Sequence, residues 1–383
     1  MRVAMLGQYP LDEARIMGGV EAVMVPLLRG LARFDDLEVH VVTCQPGVED
    51  RLGMTGSGWP LHILKRRRLG RLTFHTRDVS SIRHTLFHLS PDVVHAQGMG
   101  IYAAAAAHSP YPHVVTTHGI FFREAEFAAG LAARWRGFMD STYERYCLAR
   151  VRNLISISPY VEEELIRIGG FQGRVYRIEN PVDDSFFTVN DRGEEATVLY
   201  VGRVIVRKNL LDLLRALVEV KETLPEVRLR VAGETESNPA YVEACRQFIA
   251  QQALDAAVTF LGPLTMEEMA QEYARCAVVA LPSKQETAPV VVAEAMAAGR
   301  PVVATRVCGV PYMVEDDSSG LLVDHGNVAG LAAALVRILC DHRLRVQMGQ
   351  RGRELAEARF RADVVAHQTH QVYLQLAKDR EWS

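Results

Sequence analysis

Two cations close together in the second half of the sequence could bind an anion. Arg203 follows Gly202 directly after the apolar run Thr197–Val201, and Lys208 lies five residues further on, before a helical pattern. A guanidinium and a flexible ammonium at the end of a strand suit a diphosphate leaving group, because both stabilise oxygens that gain charge. Alternatively, both side chains are simply solvated. The positive end of the following helix dipole disfavours cations there, which favours a bound anion.

The segment 283–299 has the pattern of a helix that follows a buried strand. The run Ala277–Leu281 predicts the strand. Thr287 is predicted to cap the helix, with Pro289 in its first turn and Gly299 at its end.

Two carboxylates of this segment could bind a sugar nucleotide. Glu286 is predicted at the mouth of the helix and Glu294 about two turns inside, so the two lie roughly 10 Å apart along the axis. That is about the span from a hexose ring across a diphosphate to a ribose. Glu294 is also the one charge in an apolar stretch, so it must be paired or hydrogen-bonded. Ribose hydroxyls or a structural ion pair within the same domain would both satisfy it.

Two further candidates lie in the first half of the chain. Gly18 and Gly19 open a helix after the strand that ends at Leu6, so flexible backbone and free helix N–H groups could approach an anion. A simple turn before a helix accounts equally well for these glycines. His118 follows the strand Val114–Thr117, where an imidazole can hydrogen-bond a substrate hydroxyl or carbonyl. A lone histidine in a loop is more often structural.

The candidates follow short apolar runs that predict the strands of parallel sheets. β-branched runs alternate with patterns of three- and four-residue apolar spacing, and ligands bind at the carboxyl ends of strands arranged in this way. The predicted strands are Arg2–Leu6, Glu38–Thr43, Asp92–His95, His113–Thr117, Asn153–Ile157, Val175–Ile178, Thr197–Val201, Val227–Val231, Val258–Leu261, Ala277–Leu281 and Pro301–Ala304. The predicted helices include Val20–Arg33, Glu124–Arg150, Asn209–Leu224, Thr265–Arg275 and Val328–Leu339.

The alternation pauses in polar residues near 181–196, which predicts a linker between two domains. The length of 383 residues also favours two domains. We predict a first Rossmann-like domain over residues 1–183, a second over 196–361, and a C-terminal helix over 362–383 that crosses back to the first. The predicted fold class is α/β, with two doubly wound parallel-sheet domains facing across a cleft.

Composition narrows the class of protein. Apolar residues make up 49% and charged residues 23% of the chain, which is typical of a folded protein with large cores. The apolar stretches are far shorter than the roughly 20 residues of a spanning helix, and no signal pattern is present, so a cytoplasmic location is expected. The six cysteines form no CxxC pair and are expected to be small core residues. No metal or other cofactor is predicted.

One segment is strongly basic although the net charge of −3 argues against general nucleic-acid binding. This basic run consists of Lys65, Arg66, Arg67, Arg68 and Arg71. It could hold an anionic acceptor or a membrane surface, or it could be a solvated loop.

Eight motifs occur in a fixed order along the chain. They are GGVE (18–21), DVVHAQG (92–98), TTHG (116–119), ISISPYVEEEL (155–165), ENPVD (179–183), VGRVIVRKN (201–209), VTFLGPL (258–264) and the segment 286–294 with AMAAGRPVVAT after it. In this order they resemble the large family four of retaining glycosyltransferases with the GT-B fold, which includes bacterial mannosyl- and N-acetylglucosaminyltransferases. The likeness covers essentially the whole chain.

The resemblance implies roles for the candidates of the second half. Arg203 and Lys208 would bind the diphosphate as electrostatic catalysts. Glu286 would bind hydroxyls of the transferred sugar, and Glu294 would bind the ribose. The residues that would complete the donor site between the two carboxylates are Thr287, Ala288, Pro289 and Val290.

The resemblance also implies a reaction. Gly18 and Gly19 would line the donor phosphate and acceptor region, and His118 would contact the transferred sugar. In this family the sugar leaves and the acceptor arrives on the same face, and a donor phosphate oxygen takes the acceptor's proton, so no metal is required. The chain also lacks the Asp-x-Asp motif of metal-dependent relatives. UDP- or GDP-sugars are the expected donors, in the assembly of polysaccharides, glycolipids or small glycosides.

Two differences from the usual family motifs leave other functions open. The usual Glu-Gly-Phe-Gly is replaced by residues 286–289, so the close approach that glycine permits is lost, and Pro289 has no N–H. Gln97 stands where many relatives have a second histidine. A nucleotide-sugar epimerase of the same shape would convert the donor without an acceptor. A non-catalytic nucleotide-sugar-binding protein is favoured by the altered loop.

Overall fold

The computed structural model describes residues 1–16, 18–67, 70–127, 130–168, 171–190, 193 and 196–381, and leaves out the side chains of residues 71, 72, 380 and 381. The chain divides into two units. The first contains Met1–Glu13, Gly18–Pro181 and the chain from Ala362, and the second contains a short segment from Ala14 together with Val182–Arg361. Each unit is built on one largely parallel sheet, so the predicted class of two Rossmann-like domains is confirmed.

The strands and helices alternate along most of the chain. The strands are β1 (Arg2–Leu6), β2 (Glu38–Gln45), β3 (Arg51–Met54), β4 (Pro60–Lys65), β5 (Val93–Gln97), β6 (His113–Thr117), β7 (Asn153–Ser156), β8 (Arg174–Arg177), β9 (Thr197–Val201), β10 (Arg228–Ala232), β11 (Val258–Gly262), β12 (Val278–Leu281), β13 (Val302–Thr305) and β14 (Gly320–Val323). The α-helices are α1 (Gly19–Leu31), α2 (Thr76–Leu89), α3 (Ile101–Ala107), α4 (Phe121–Glu124), α5 (Leu131–Leu148), α6 (Pro159–Arg167), α7 (Leu210–Thr223), α8 (Pro239–Gln251), α9 (Met266–Arg275), α10 (Val290–Ala297), α11 (Val328–Cys340), α12 (His342–Arg359) and α13 (Ala362–Glu381).

The sheet of the first unit has the order β3-β4-β2-β1-β5-β6-β7-β8, and only the β3–β4 pair is antiparallel. The last helix, α13, packs on α1 of this unit. A Cβ atom at Gly30 of α1 would lie 2.4 Å from the carbonyl oxygen of Ala362 and 2.7 Å from the Cβ of Ala366. A residue without a side chain is therefore required where the two helices meet.

The sheet of the second unit has the order β11-β10-β9-β12-β13-β14, and every pair is parallel. This is the 3-2-1-4-5-6 order of dinucleotide-binding folds, in which ligands bind where the order reverses. The reversal lies between β9 and β12 here, and between β1 and β5 in the first unit.

Both faces of the second sheet are buried, which explains why its strands are continuous apolar runs. Val198 and Tyr200 of β9 belong to the core that includes Leu213 of α7. Leu199 between them belongs to the opposite core, which includes Val292 of α10.

Several predicted elements differ from the structure. The predicted helix 124–150 is wrong as a single element. Helix α4 ends at Glu124, and α5 begins only after Gly130, whose φ of 82° suits glycine. Strands β3, β4 and β14 were not predicted. Two cysteines are not core residues, since Cys340 is exposed and Cys308 is only partly buried.

No helix of the described residues is both long and apolar enough to cross a bilayer.

Candidate active site

The carboxyl end of β9 lies at the reversal point of the second sheet and carries Gly202 and Arg203. Gly202 has a φ of 145°, and a Cβ atom at Gly233, beyond β10, would lie 2.1 Å from the Gly202 carbonyl oxygen. The two turns therefore approach more closely than side chains would permit. The Tyr200 hydroxyl donates to the carbonyl oxygen of Arg203 at 3.1 Å, while the Arg203 side chain is exposed.

Lys208 and Glu286 meet beside this turn although 78 residues separate them in sequence. Lys208 Nζ donates to Glu286 Oε1 at 2.5 Å, and the Ser283 hydroxyl donates to the same oxygen at 2.7 Å. Arg207 Nη1 lies 3.8 Å from Glu286 Oε2. We call Arg207, Lys208, Ser283 and Glu286 the cation–carboxylate cluster.

Burial and charge act in opposite directions on the pKa values of this cluster. Burial lowers the pKa of Lys208 and outweighs Glu286, which raises it, while Arg207 and Arg203 lower it further. Burial alone would raise the pKa of Glu286. The charges of Lys208 and Arg207 and the hydrogen bonds from Lys208 and Ser283 outweigh burial and lower it. The carboxylate therefore stays ionised at neutral pH.

The segment after Glu286 does not begin the helix where it was predicted to begin. The N-cap of α10 is Pro289, in extended backbone with φ −68° and ψ 116°, so Thr287 as a helix cap is wrong. The residue before a proline is disfavoured in helical backbone, which keeps Ala288 out of the helix. Glu294 is consequently the fifth residue of α10, about one turn inside rather than two.

The predicted donor-site residues between the two carboxylates form a short, largely buried loop. Thr287 and Pro289 are buried, and Ala288 and Val290 are half-buried. The backbone carbonyl of Glu286 accepts from the N–H of Gly309 at 2.9 Å, which ties the loop to the segment beyond β13.

Glu294 is held by a tyrosine rather than by a cation. The buried Tyr273 hydroxyl donates to Glu294 Oε2 at 2.8 Å. Burial raises the pKa of Glu294 to about 7, with the Tyr273 bond lowering it and the nearby Asp183 raising it. Glu294 has no ion-pair partner among the residues that the structure describes, so the alternative of a structural ion pair does not hold for them.

In the first unit, Gly18 is the N-cap of α1, and Gly19 is its first residue. Among the described residues, no atom beyond the chain neighbours lies within 4 Å of a Cβ built at either glycine, so open space faces both of them. Gly7, at the end of β1, is packed instead, since a Cβ there would lie 2.9 Å from the Cβ of Gln97.

His118 is half-buried beyond β6 and is bound by Gln97 at the end of β5. Its Nε2–H donates to Gln97 Oε1 at 2.6 Å. Burial lowers the pKa of His118 to about 4, and a hydrogen bond with Asn180 acts in the opposite direction. The imidazole is therefore neutral at physiological pH, with Nδ1 as its acceptor nitrogen.

Gln97 continues into a chain of buried polar groups. Its amide N–H donates to His95 Nε2 at 3.2 Å, and the Thr116 hydroxyl lies 2.7 Å from the same nitrogen. His95 Nδ1 lies 2.6 Å from the hydroxyl of Tyr373 on α13. Burial lowers the pKa of His95 to about 3, so the ring is neutral. Because the Gln97 amide donates to Nε2, the arrangement fits a proton on Nδ1 that is directed at Tyr373.

The structure brings some predicted residues together and adds others. It joins Lys208 to Glu286. The sequence analysis assigned Lys208 to the diphosphate and Glu286 to hydroxyls of the transferred sugar. Sequence reasoning missed three partners: Ser283, Arg207 and Tyr273. Of these, only Arg207 could have been identified from the sequence, as the cation adjacent to Lys208. Ser283 and Tyr273 are ordinary polar residues whose contacts only the fold reveals.

The basic run contains few exposed cations in its described part. Lys65 ends β4 and pairs with Glu49, Arg66 is half-buried, and Arg67 is exposed. Arg68 and the side chain of Arg71 lie outside the described part of the chain.

Within the described residues, no group of three or more His, Cys, Asp or Glu side chains is arranged to hold a metal ion.

Comparison with known families matches both halves of the chain. The profile of the family described as "Glycosyltransferase Family 4" matches residues 17–186, and that of "Glycosyl transferases group 1" matches residues 182–355.

Two curated relatives illustrate the similarity. A D-inositol 3-phosphate glycosyltransferase of Corynebacterium jeikeium is 34% identical over 180 residues, which are 46% of this chain and 43% of the relative. A glycogen synthase of Mycobacterium tuberculosis is 28% identical over 288 residues, which are 74% of this chain and 69% of the relative. The matched region thus spans less than half of the first relative.

Solved structures share the fold along nearly the whole chain. Sucrose-phosphate synthase from Thermosynechococcus elongatus has a TM-score of 0.82 at 23% identity, covering 98% of this chain and 99% of that one. Anabaena HepE in complex with UDP and glucose has a TM-score of 0.75 at 19% identity, covering 98% and 100%. The two family profiles, which together match residues 17–355, place the chain among the glycosyltransferases of group 1 and family 4.

Proposed function

We propose that the protein transfers a sugar from a UDP- or GDP-sugar to a hydroxyl of a glycan, glycolipid or small molecule, with retained configuration and without a metal. The observation that carries the proposal is the cation–carboxylate cluster at the reversal point of the second sheet. Parallel α/β sheets bind ligands at this point. Cations there stabilise a diphosphate that gains charge.

The reaction breaks the bond between the anomeric carbon and an oxygen of the diphosphate. That oxygen leaves with the electron pair, and Arg203 and Lys208 stabilise its charge. The acceptor hydroxyl oxygen bonds to the anomeric carbon on the face that the diphosphate leaves, and its proton passes to a donor phosphate oxygen. The configuration at the anomeric carbon is retained.

The remaining site residues bind and orient the donor. Glu286 accepts from hydroxyls of the transferred sugar, and Glu294 accepts from the ribose. The first backbone N–H groups of α10 have no acceptor within the helix, which suits phosphate oxygens. In the first unit, Gly18 and Gly19 leave open space at the start of α1, and His118 contacts the transferred sugar.

The relatives support this class of reaction. Anabaena HepE has been solved with UDP and glucose and also with UDP-glucose, which supports a UDP-sugar donor. The curated relatives named as glycogen synthase and D-inositol 3-phosphate glycosyltransferase support transfer of a glycosyl group.

Arg203→Ala tests the proposal. We expect turnover to fall about 100-fold, since one contact to developing charge contributes about 3 kcal/mol. Arg228→Ala is the matched control, because Arg228 is also exposed but lies at the amino end of β10. Turnover of Arg203→Ala equal to that of the control would refute the assigned role of Arg203.

Product analysis separates the proposal from its two rivals. A transferase makes product only with an acceptor, and NMR of the product should show the donor's anomeric configuration. An epimerase would convert the donor alone. A non-catalytic protein would bind nucleotide sugars without turnover across a broad acceptor panel.

Two further expectations stay predictions. One is the cytoplasmic location. The other is contact of the basic run, Lys65, Arg66, Arg67, Arg68 and Arg71, with an anionic acceptor or a membrane.

A further inference from the structure

The first unit contains a cavity of about 1050 Å³ at the amino ends of three neighbouring strands. His113 begins β6, Asn153 begins β7, and Gly173 directly precedes β8, and all three line the cavity. Residues from the end of α5 and from α13 complete the wall. The volume is close to the upper end of the range of about 300–1000 Å³ that small-molecule sites occupy. The cavity can therefore hold an organic molecule.

This cavity is separate from the candidate active-site residues of the same unit. His113 and His118 lie at opposite ends of β6, and five residues of extended chain at about 3.3 Å each place them about 16 Å apart. His118 and Gln97 mark the carboxyl edge of the sheet, whereas the cavity opens at its amino edge. A molecule bound in the cavity would thus occupy a second site.

Three arginines line the cavity within eight residues of sequence. Arg145 lies in the last turn of α5, and Arg150 and Arg152 follow the helix. None of the three forms an ion pair with a residue that the structure describes. The one carboxylate among the lining residues, Asp379, is paired with Arg174 at 2.9 Å. The wall is therefore positively charged.

Two of these arginines remain available to a ligand. Arg150 has a local role, because its Nη1–H donates to the carbonyl oxygen of Tyr146 at 3.1 Å, near the end of α5. Arg145 and Arg152 make no such contact with any described residue. A guanidinium donates in a planar fork that matches phosphate oxygens, and a cleft lined by one sign of charge concentrates its potential. The cavity thus favours a phosphate group.

His113 adds a hydrogen-bond acceptor to this wall. The residue is only 8% exposed, and its Nδ1–H donates to the carbonyl oxygen of Tyr111 at 3.4 Å. Burial lowers the pKa of His113, with the Tyr111 bond raising it and the charge of Arg152 lowering it further. The ring is therefore neutral, and its Nε2 can only accept. That nitrogen has no hydrogen-bond partner among the described residues. A hydroxyl of a bound molecule would supply the missing donor, directly or through one water.

We propose that this cavity binds a phosphate monoester of a hydroxylated ring, supplied either as a sugar phosphate or as a nucleoside monophosphate. Arg145 and Arg152 bind the phosphate, and His113 accepts from a ring hydroxyl. The lining side chains of Leu148 and Phe171 pack against the carbon atoms of the ring. This inference does not depend on the proposed transferase activity.

Calorimetric titration of the full-length protein tests the inference, with glucose 6-phosphate and AMP as the two probes. We expect at least one of them to bind at least tenfold more tightly than inorganic phosphate, and the comparison of the two shows which source supplies the ligand. Glucose and adenosine, which lack the phosphate, should bind at least tenfold more weakly than their phosphate esters.

Two double variants assign the binding to the cavity. Arg145→Gln/Arg152→Gln should weaken binding of the tighter probe at least tenfold. Arg134→Gln/Arg136→Gln is the matched control, because these two arginines are exposed on the same helix but do not line the cavity. The control should bind like the unaltered chain, and unchanged binding by the first variant would overturn the proposal.

Two single variants separate the remaining outcomes. His113→Phe should remove the preference for the ester over inorganic phosphate. Arg203→Ala should bind the probes like the unaltered chain, because Arg203 belongs to the candidate active site of the other unit. Loss of probe binding in Arg203→Ala would assign the probes to that site and overturn the proposal. Failure of both probes to bind at millimolar concentration, or binding no tighter than that of inorganic phosphate, would also overturn it.

Discussion

Donor affinity should depend on pH through Glu294. Burial raises the pKa of this carboxyl to about 7, and ribose hydroxyls donate to the carboxylate rather than to the acid. With that pKa, about one tenth of the groups are ionised at pH 6 and about nine tenths at pH 8. The apparent Kd for a nucleotide sugar should therefore be about tenfold weaker at pH 6 than at pH 8, or about 1.4 kcal/mol.

Calorimetric titration with UDP-glucose measures this effect, because the diphosphate diester of the ligand does not titrate between pH 6 and 8. Binding selects the ionised carboxyl, so it should release close to one proton at pH 6. Titrations in two buffers of different ionisation enthalpy report that proton directly. If UDP-glucose does not bind, the nucleotide sugar with the largest thermal shift takes its place.

Three variants assign the effect to its source. Glu294→Gln should abolish the pH dependence. Glu144→Gln is the control, because burial also raises the pKa of Glu144 to about 7 although it belongs to the other unit, and it should leave the dependence intact. Tyr273→Phe should move the midpoint to higher pH, because the lost hydrogen bond lowers the pKa of Glu294. A flat Kd in the unaltered protein, or a slope that survives in Glu294→Gln, would refute the reasoning.

Three other outcomes are expected. Gln97→Leu should reduce stability by about 1–3 kcal/mol in denaturant unfolding, because the Nε2–H of His118 loses its buried acceptor, and Gln97→Glu should recover part of the loss. Gly233→Ala should cost up to about 3 kcal/mol, since its Cβ would meet the Gly202 carbonyl, whereas Gly326→Ala, with positive φ but open space, should cost less. Dialysis against a chelator should leave turnover unchanged, and loss of activity restored by a divalent cation would contradict the metal-free mechanism.

The strands of both sheets could be predicted wherever burial on two faces requires an apolar run. β9 and β12 are such strands, and both appear in the prediction within about one residue. Strand β3 does not appear in the prediction. Its sequence RLGM contains no apolar run, because this edge strand is not buried: Leu52 and Met54 are exposed. Helix 124–150 was overextended, because the break at Gly130 depends on a backbone conformation that spacing does not reveal.

The positions of the site residues could be predicted more readily than the contacts between their side chains. Ligand residues of parallel sheets follow the carboxyl ends of strands, and this rule indicated where to look for His118, Arg203 and Glu286. The rule cannot show which side chains touch. The contact of Lys208 with Glu286 depends on the adjacency of β9 and β12 in the sheet, and Gln97 reaches His118 because β5 and β6 are neighbours.

The pairing of Lys208 with Glu286 also explains how a cationic site stays stable without a ligand. Arg203, Arg207 and Lys208 lie close enough for both arginines to lower the pKa of Lys208, and the Glu286 carboxylate offsets one of the three charges. The two positive charges that remain balance the two negative charges of a sugar diphosphate diester, which has one on each phosphate. A donor that binds there neutralises the group, while Glu286 still has lone pairs for sugar hydroxyls. The same carboxylate thus holds Lys208 in place without the donor, and in the proposed function it would also bind the sugar.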